Sequence, residues 1–256
     1  MSERMPVLFV GHGSPMNAIE DNVFSQGWKQ IAREIPRPKM LLSVSAHWYM
    51  AGSRINDTAV PRLIYDMYGF PKELYQVRYP VPGAPTLAAM AQELLGSVLT
   101  VDNSWGIDHG TWSVLRHIYP DADIPSTQLG IDRNAPAEEH YRIGQTLSVL
   151  RNEGVLIMGT GNIVHNLALA NWRMESGYGW NDEFDGYIKQ SILAGDHSAV
   201  VDHKRAGESA AMAFTTMEHY YPLLYVLGAS SSGDRVHVFN EAGTMGSISM
   251  TSYLIG

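Results

Sequence analysis

The chain has 256 residues, with 26 acidic and 18 basic side chains, a formal net charge of −8 and no cysteine. An acidic chain without a cluster of Lys or Arg is a poor partner for nucleic acid and for anionic membranes. The absence of cysteine excludes disulfides, thiolate nucleophiles and Cys-ligated zinc or iron–sulfur centres. Any bound metal must therefore be held by His, Asp or Glu.

The composition is that of an ordinary globular protein, with 45% apolar and 17% charged residues. The first apolar run is too short for a signal sequence, and no run approaches the roughly 18 apolar residues that span a bilayer. We therefore expect one cytoplasmic domain over residues 1–256. We expect it to be a monomer or a small homo-oligomer, with no nucleic-acid or membrane partner.

Short apolar runs alternate with segments of helical periodicity along the chain. Strands are predicted at residues 6–10, 40–48, 97–101, 125–131, 154–159, 236–239 and 247–255. Helices are predicted at residues 23–34, 85–95, 136–151, 181–194 and 218–228. Residues 105–112 are predicted as a loop that leads into a further helix ending near residue 118. This alternation predicts a single α/β domain with a central mixed sheet flanked by helices.

Three of the predicted strands deliver a histidine. His12 follows the first strand, His47 ends the second, and His165 comes shortly after the strand that ends near residue 159. Ligands of an open α/β sheet bind outside the carboxyl ends of the strands, so histidines from distant parts of the sequence can meet there. Small residues precede His12 and His47 and leave room for a bulky ion. This pair therefore predicts a metal site at the C-terminal ends of the strands.

Other histidines occupy less uniform contexts. His219 lies near the start of a predicted helix and is a candidate third ligand, with Glu218 beside it. Adjacent helical positions point about 100° apart, so only one of these two is expected to face a metal. His165 and His109 are each candidates for a fourth ligand or a general base, because imidazole titrates near neutrality. Surface positions are expected for the remaining five, which are His117, His140, His197, His203 and His237.

Residues 49–83 lack clear periodicity and carry several aromatic side chains between Tyr65 and Tyr79. Long loops of this kind are often functional walls or lids when they are ordered. We expect this segment, with Trp48 and Trp112, to form a wall for a planar ring. An irregular excursion with only a structural role is the alternative.

Five motifs taken together resemble a known family. They are Gly-His-Gly-Ser-Pro-Met at 11–16, Ser-Ala-His-Trp at 45–48, Asp-His-Gly-Thr-Trp at 108–112, Gly-Asn-Ile-Val-His-Asn at 161–166 and Glu-His-Tyr-Tyr-Pro-Leu-Leu at 218–224. The chain resembles the DOPA 4,5-extradiol dioxygenase-like proteins of the class III extradiol ring-cleavage dioxygenases, the LigB superfamily. The motifs occur in the same order and span essentially the whole chain.

The resemblance implies one divalent metal ion per chain, held by His12, His47 and His219. It implies that His165 is the active-site acid/base, or lies close enough to be a further ligand. It places His109 beside the substrate and the oxygen site. The implied reaction opens a catechol ring next to its two hydroxyls, with O2 as co-substrate, to a muconic semialdehyde.

The third metal-binding motif departs from the superfamily pattern. Members of the superfamily typically hold Fe(II) with two histidines and one carboxylate, whereas this chain presents His219 with Glu218 adjacent. A three-histidine site with an open position also suits zinc, so Zn(II) in the isolated protein and Fe(II) in the active form are both expected. Two alternatives remain open: a zinc-dependent hydrolase, and a non-catalytic metal-binding protein with the same fold.

Overall fold

The computed structural model describes residues 4–256 and is built around an eight-stranded sheet. The chain also forms a separate two-stranded sheet. In chain order, the strands of both sheets are β1 (Val7–Gly11), β2 (Met40–Met50), β3 (Ser53–Ile55), β4 (Leu99–Val101), β5 (Ser126–Asp132), β6 (Val155–Gly161), β7 (Val236–Phe239), β8 (Gly243–Thr244), β9 (Ile248–Ser249) and β10 (Ser252–Ile255). The sheet runs in the order β4-β3-β5-β2-β6-β1-β10-β7, and β8 pairs with β9.

The sheet is mixed, as predicted. Its centre is parallel, with β2 between β5 and β6 and with β6 beside β1. Antiparallel strands complete both sides, because β10 pairs antiparallel with β1 and β7, and β3 pairs antiparallel with β5. The parallel centre directs the carboxyl ends of β1 and β6 to the same edge of the sheet.

Eight α-helices of residues 4–256 pack on the sheet or on one another. They are α1 (Val23–Ile31), α2 (Pro85–Leu95), α3 (His109–Ile118), α4 (Ala137–Leu147), α5 (Gly179–Leu193), α6 (His197–Val201), α7 (Glu208–Ala213) and α8 (Tyr221–Ala229). Both faces of the sheet are buried, since Val7 and Phe9 of β1 join one apolar cluster while Leu8 and Val10 join another. This alternation follows from the two-residue period of a strand. Within residues 4–256, no helix is long and apolar enough to cross a membrane.

Several element boundaries agree with the sequence prediction and others do not. Residues 85–95 and 236–239 form the predicted helix and strand. The predicted loop at 105–112 is wrong in its second half, because α3 begins at His109 after Asp108 in an extended conformation. The predicted strand at 247–255 is divided into β9 and β10. The predicted helix at 136–151 ends at Leu147 and continues as a 3-10 turn.

His140 was expected at the surface, and this prediction is wrong. It is fully buried on α4, where it shares a face with Ile143 and Leu147, and its Nδ1 lies 3.0 Å from the hydroxyl of Tyr225 on α8. Burial lowers the pKa of His140 to about 4, so the ring is neutral near pH 7. Among the other four histidines expected at the surface, His237 is exposed and the rest are half-buried.

Candidate metal centre

A cavity of about 440 Å³ opens at the carboxyl ends of β1 and β6 and brings five histidines together. Three of them follow the predicted strands or lie within them, and two come from the segments before α8 and at the start of α3. The five are His12, His47, His109, His165 and His219. The expectation that histidines distant in sequence meet beyond the strand ends is therefore met.

His12 is held in place at the end of β1 by hydrogen bonds to its backbone and to its ring. Its backbone N–H donates to the carbonyl of Gly161 at 3.0 Å, and Gly13 follows it with a φ of +58°, a conformation that favours glycine. The hydroxyl of Thr160 donates to the carbonyl of Gly110 at 2.6 Å and lies 3.0 Å from His12 Nδ1. Because that hydroxyl has one proton, it accepts from Nδ1–H. The Nε2 atom of His12 therefore carries a lone pair.

His47 lies inside β2 and not at its end, because the strand continues to Met50. The register of β2 against β5 shifts between Val44 and Tyr49, and His47 sits within this irregular stretch. Its Nδ1 lies 3.0 Å from a carboxylate oxygen of Asp66, which favours the Nδ1–H tautomer. Its Nε2 lies 3.0 Å from Nε2 of His12. In the Nδ1–H tautomers both Nε2 atoms carry a lone pair, and a cation between them would remove the repulsion of two lone pairs at this distance.

His219 presents a third unpaired nitrogen. Its Nδ1 lies 3.2 Å from a carboxylate oxygen of Glu218, and its buried Nε2 has no hydrogen-bond partner among residues 4–256. The ring centroid of His219 is 5.3 Å from that of His12 and 5.1 Å from that of His47, while the His12 and His47 centroids are 4.9 Å apart. A buried imidazole nitrogen without a partner fits a metal ligand, since zinc and iron sites take neutral imidazole.

Two groups of side chains in this cavity have ligand atoms within 4.8 Å of one another. The first is His12, His47 and His109, and the second is His165, Glu218 and His219. His109 thus lies with two of the expected ligands, with its ring centroid 4.1 Å from that of His47. His165 stacks on His219 with centroids 3.4 Å apart and an interplanar angle of 10°. The first group is a histidine triad that can bind a metal ion.

Burial dominates the protonation of these rings. It lowers the pKa of His12 and of His219 well below the usual value, and the neighbouring histidines lower both further. Burial and the nearby His47 lower the pKa of His165 to about 4. Burial lowers the pKa of His109 as well, against the opposing charge of Asp66. For His47, the carboxylates of Asp66 and Asp108 outweigh burial and raise the pKa.

Asp66 is a site residue that the sequence analysis missed. One carboxylate oxygen lies 3.0 Å from His47 Nδ1, and the other lies 3.0 Å from His109 Nδ1 and accepts the His109 backbone N–H at 3.1 Å. Nδ1 of His109 has no hydrogen-bond partner within residues 4–256, so the backbone N–H makes the hydrogen bond to Asp66. Burial would raise the pKa of Asp66, but the two histidines lower it below its ordinary range. The only sequence signal was an acidic residue within the aromatic segment.

Asp108 is a second carboxylate that the sequence analysis missed, and it lies behind the residues that line the cavity. It is fully buried and accepts hydrogen bonds from the Ser45 hydroxyl at 2.7 Å and the Trp105 indole at 3.1 Å. Burial raises the pKa of Asp108, and the neighbouring charge of Asp66 raises it further. Asp108 directly precedes His109, so its hydrogen bond with Ser45 joins the start of α3 to β2.

The predicted aromatic wall is correct only in part. Tyr68 and Phe70 line the cavity, but Trp48 and Trp112 are buried in the core and do not. The hydroxyl of Tyr65 donates to the carbonyl of Val77 at 2.5 Å and fastens the segment to itself. The sequence analysis did not single out Leu167 and Trp172, which follow β6 and complete the mouth of the cavity.

Comparison with known proteins places the chain in a family. Residues 6–253 match the family described as the catalytic LigB subunit of aromatic ring-opening dioxygenase. The chain belongs to the LigB family. The resemblance inferred from the five motifs is thereby confirmed, and the family supports a metal-dependent, ring-cleaving dioxygenase.

Individual relatives of this LigB-family chain cover nearly its full length. A protein of Escherichia coli (strain K12) named 4,5-DOPA dioxygenase extradiol is 43% identical over 264 residues, which cover 100% of this chain and 96% of the relative. A Beta vulgaris protein of the same name is 33% identical over 252 residues, covering 96% and 94%. The crystal structure of an uncharacterized protein from Escherichia coli K12 shares 39% identity with a TM-score of 0.86, covering 99% of this chain and 100% of that one.

Proposed function

We propose that this protein is an extradiol dioxygenase that opens the ring of a DOPA-like catechol with O2 and yields a muconic semialdehyde. The observation that carries the proposal is the convergence of three imidazole rings whose Nδ1 atoms are engaged and whose Nε2 atoms are left for a metal ion. The proposed ligands are His12, His47 and His219, with His165 beside them as acid/base or further ligand. The family match and the names of the relatives support this assignment.

The proposed active metal is Fe(II), with Zn(II) as an occupant of the isolated protein. A bound Fe(II) ion supplies the redox chemistry that connects an electron-rich catechol to O2, whereas zinc has no redox chemistry. Both ions take imidazole ligands, so the donor set fits either. Neutral rings are required for binding, and burial keeps His12 and His219 neutral by lowering the pKa of each.

The remaining histidines supply proton transfer and orientation. His165 has a pKa lowered to about 4, so it is neutral near pH 7 and can accept a proton from a catechol hydroxyl at an imidazole nitrogen. The same nitrogen can return that proton when the ring opens. Nδ1 of His109 lies 3.0 Å from Asp66, so Nε2 is the ring nitrogen available for a hydrogen bond with the second hydroxyl.

Oxygen consumption tests this proposal directly. Protein stripped of metal and reloaded anaerobically with Fe(II) or with Zn(II) is given L-DOPA, simple catechols, and resorcinol and hydroquinone as controls whose hydroxyls are not adjacent. We expect oxygen uptake and a yellow semialdehyde only with Fe(II) and only with adjacent hydroxyls. No uptake with either metal across the catechols would contradict the dioxygenase and favour the zinc hydrolase or the non-catalytic metal-binding protein.

A further inference from the structure

Apart from its five histidines, the cavity is lined by acidic residues and by no permanent cation. The acidic residues are Asp66 and Glu218, and among residues 4–256 no Lys or Arg lines the cavity. One carboxylate oxygen of Glu218 is buried without a hydrogen-bond partner in this described part of the chain. A site that receives an anionic side chain usually provides a cation or a bidentate Arg fork for it. This cavity offers acceptors and no such donor.

The mouth of the cavity is aromatic and exposed. Tyr68 is 89% exposed and Trp172 is 68% exposed, and both line the same opening together with Phe70 and the exposed Leu167. Single exposed apolar side chains are common on proteins, but a group that shares one opening marks a ligand-binding surface. The faces of Trp and Tyr attract cations, with Trp the strongest of the aromatic side chains.

The charge of the whole chain acts in the same direction. A formal net charge of −8 attracts cationic small molecules and repels anionic ones at moderate ionic strength. The net charge of the chain, the acidic lining of the cavity and its aromatic mouth therefore all favour a cationic ligand. The net charge and the aromatic mouth are independent of the histidines that are proposed to hold the metal.

We propose that the site selects catechols whose side chain ends in an ammonium group over catechols whose side chain ends in a carboxylate. The inference rests on the proposed function, because the catechol ring is taken to lie against the histidines. The side chain then extends toward the mouth, where Trp172 and Tyr68 contact its ammonium group. DOPA carries both an ammonium group and a carboxylate on its side chain, so we expect the site to favour it less than the first class and more than the second.

Arg173 is the cation that a competing explanation would use. It follows Trp172 directly and is exposed, but its side chain does not line the cavity. If Arg173 turned inward when substrate binds, it would pair with a carboxylate and reverse the selectivity. The test therefore includes this residue.

Three catechols with a two-carbon side chain provide matched probes: dopamine ends in an ammonium, ethylcatechol is neutral, and dihydrocaffeate ends in a carboxylate. With the Fe(II)-loaded full chain, we expect a KM for dopamine about tenfold below that for dihydrocaffeate, with ethylcatechol between them and similar kcat values. The ratio should shrink at high salt, since exposed charges are screened. Equal KM values, or a preference for dihydrocaffeate, would overturn the proposed selectivity while leaving the dioxygenase in place.

Variants at the mouth separate the sources of the selectivity. Trp172→Leu should raise the KM for dopamine about two- to fivefold relative to ethylcatechol, and Trp172→Phe should restore part of the difference. Arg173→Gln should leave the KM for dihydrocaffeate unchanged, and a severalfold rise there would overturn the inference. Calorimetric binding to the Zn(II)-loaded protein should give the same order of Kd values. This arm tests the selectivity even if no catechol is turned over, a result that would instead contradict the proposed function.

Discussion

The imidazole rings of His165 and His219 lie parallel, with their centroids 3.4 Å apart and an interplanar angle of 10°. This stacking keeps His165 beside a candidate ligand while its own backbone is fixed by a hydrogen bond from its N–H to the carbonyl of Ala213 at 2.8 Å. A proposed acid/base group and a proposed ligand are thus held in a single packed unit. Proton transfer and metal binding are expected to separate on mutation.

Replacing His165 by Ala tests that separation. We expect the variant to keep its metal, because His12, His47 and His219 remain, and to lose turnover by about 10²- to 10⁴-fold, the usual contribution of a general acid/base. Metal content by mass spectrometry and oxygen uptake with Fe(II) are the two measurements. Undiminished turnover would remove His165 from its role, and loss of the metal would make it a ligand.

Replacing His12 by Ala, unlike replacing His165, should remove the bound metal. Removing one of three proposed ligands leaves two, and we expect the purified variant to contain little or no bound metal while remaining folded. His237→Ala, which alters an exposed histidine far from the cavity, is the matched control and should retain its metal. A His12→Ala protein with full metal content would exclude His12 from the ligand set.

Asp66→Asn removes the carboxylate that lies 3.0 Å from both His47 and His109. Groups that orient metal-bound histidines typically contribute 10- to 100-fold in metal affinity, and we expect a loss of about this size in a competition with a chromophoric chelator. The exposed Asp121→Asn has the same change in charge and should bind metal normally. Unchanged affinity in Asp66→Asn would show that His47 is oriented without this carboxylate.

The fold and the position of the site could be predicted because their signals are local. The apolar run at residues 6–10 predicts a strand, and the glycine-flanked His12 follows it directly. The parallel pairing of β1 with β6 then brings His12 toward His165. The position of His47 was less accurate, because the irregular pairing of β2 with β5 depends on neighbouring strands and has no signature in the sequence.

The missed residues depend on tertiary contacts. Asp66 and Trp172 lie in segments without periodicity, and only the folded chain brings them to the cavity. His140 is different, since its spacing of three and seven residues from Ile143 and Leu147 places it on the buried face of α4. Its polarity suggested the surface, but the hydroxyl of Tyr225 gives the buried ring a partner.

His140 should make the stability of the protein depend on pH. Burial lowers its pKa to about 4 from the ordinary value of 6.5, so between these values the unfolded chain binds a proton that the native chain does not. Stability therefore falls as the pH falls below 6.5, by about 2 kcal/mol at pH 5, and is unaffected by this group above 6.5. Urea unfolding at pH 7.5 and pH 5 should show a smaller loss in His140→Gln than in the parent or in the exposed control His237→Gln. Equal losses in all three would contradict the argument.

Gly161 is the position where a single methyl group should damage both stability and the site. A Cβ atom there would lie 2.1 Å from the backbone carbonyl oxygen of His219, so Gly161→Ala must displace the segment that carries this proposed ligand. We expect the free energy of unfolding to fall by about 1–3 kcal/mol, as for other overpacked sites, together with a weaker affinity for metal. In Gly186→Ala, on α5, the added Cβ meets nothing within 4 Å, so the better helix former should raise stability by about 0.5–1 kcal/mol and leave metal binding unchanged. Parent-like stability and metal affinity in Gly161→Ala would show that the close approach of the His219 carbonyl to this strand is not required, since the segment before α8 could then relax without moving the imidazole.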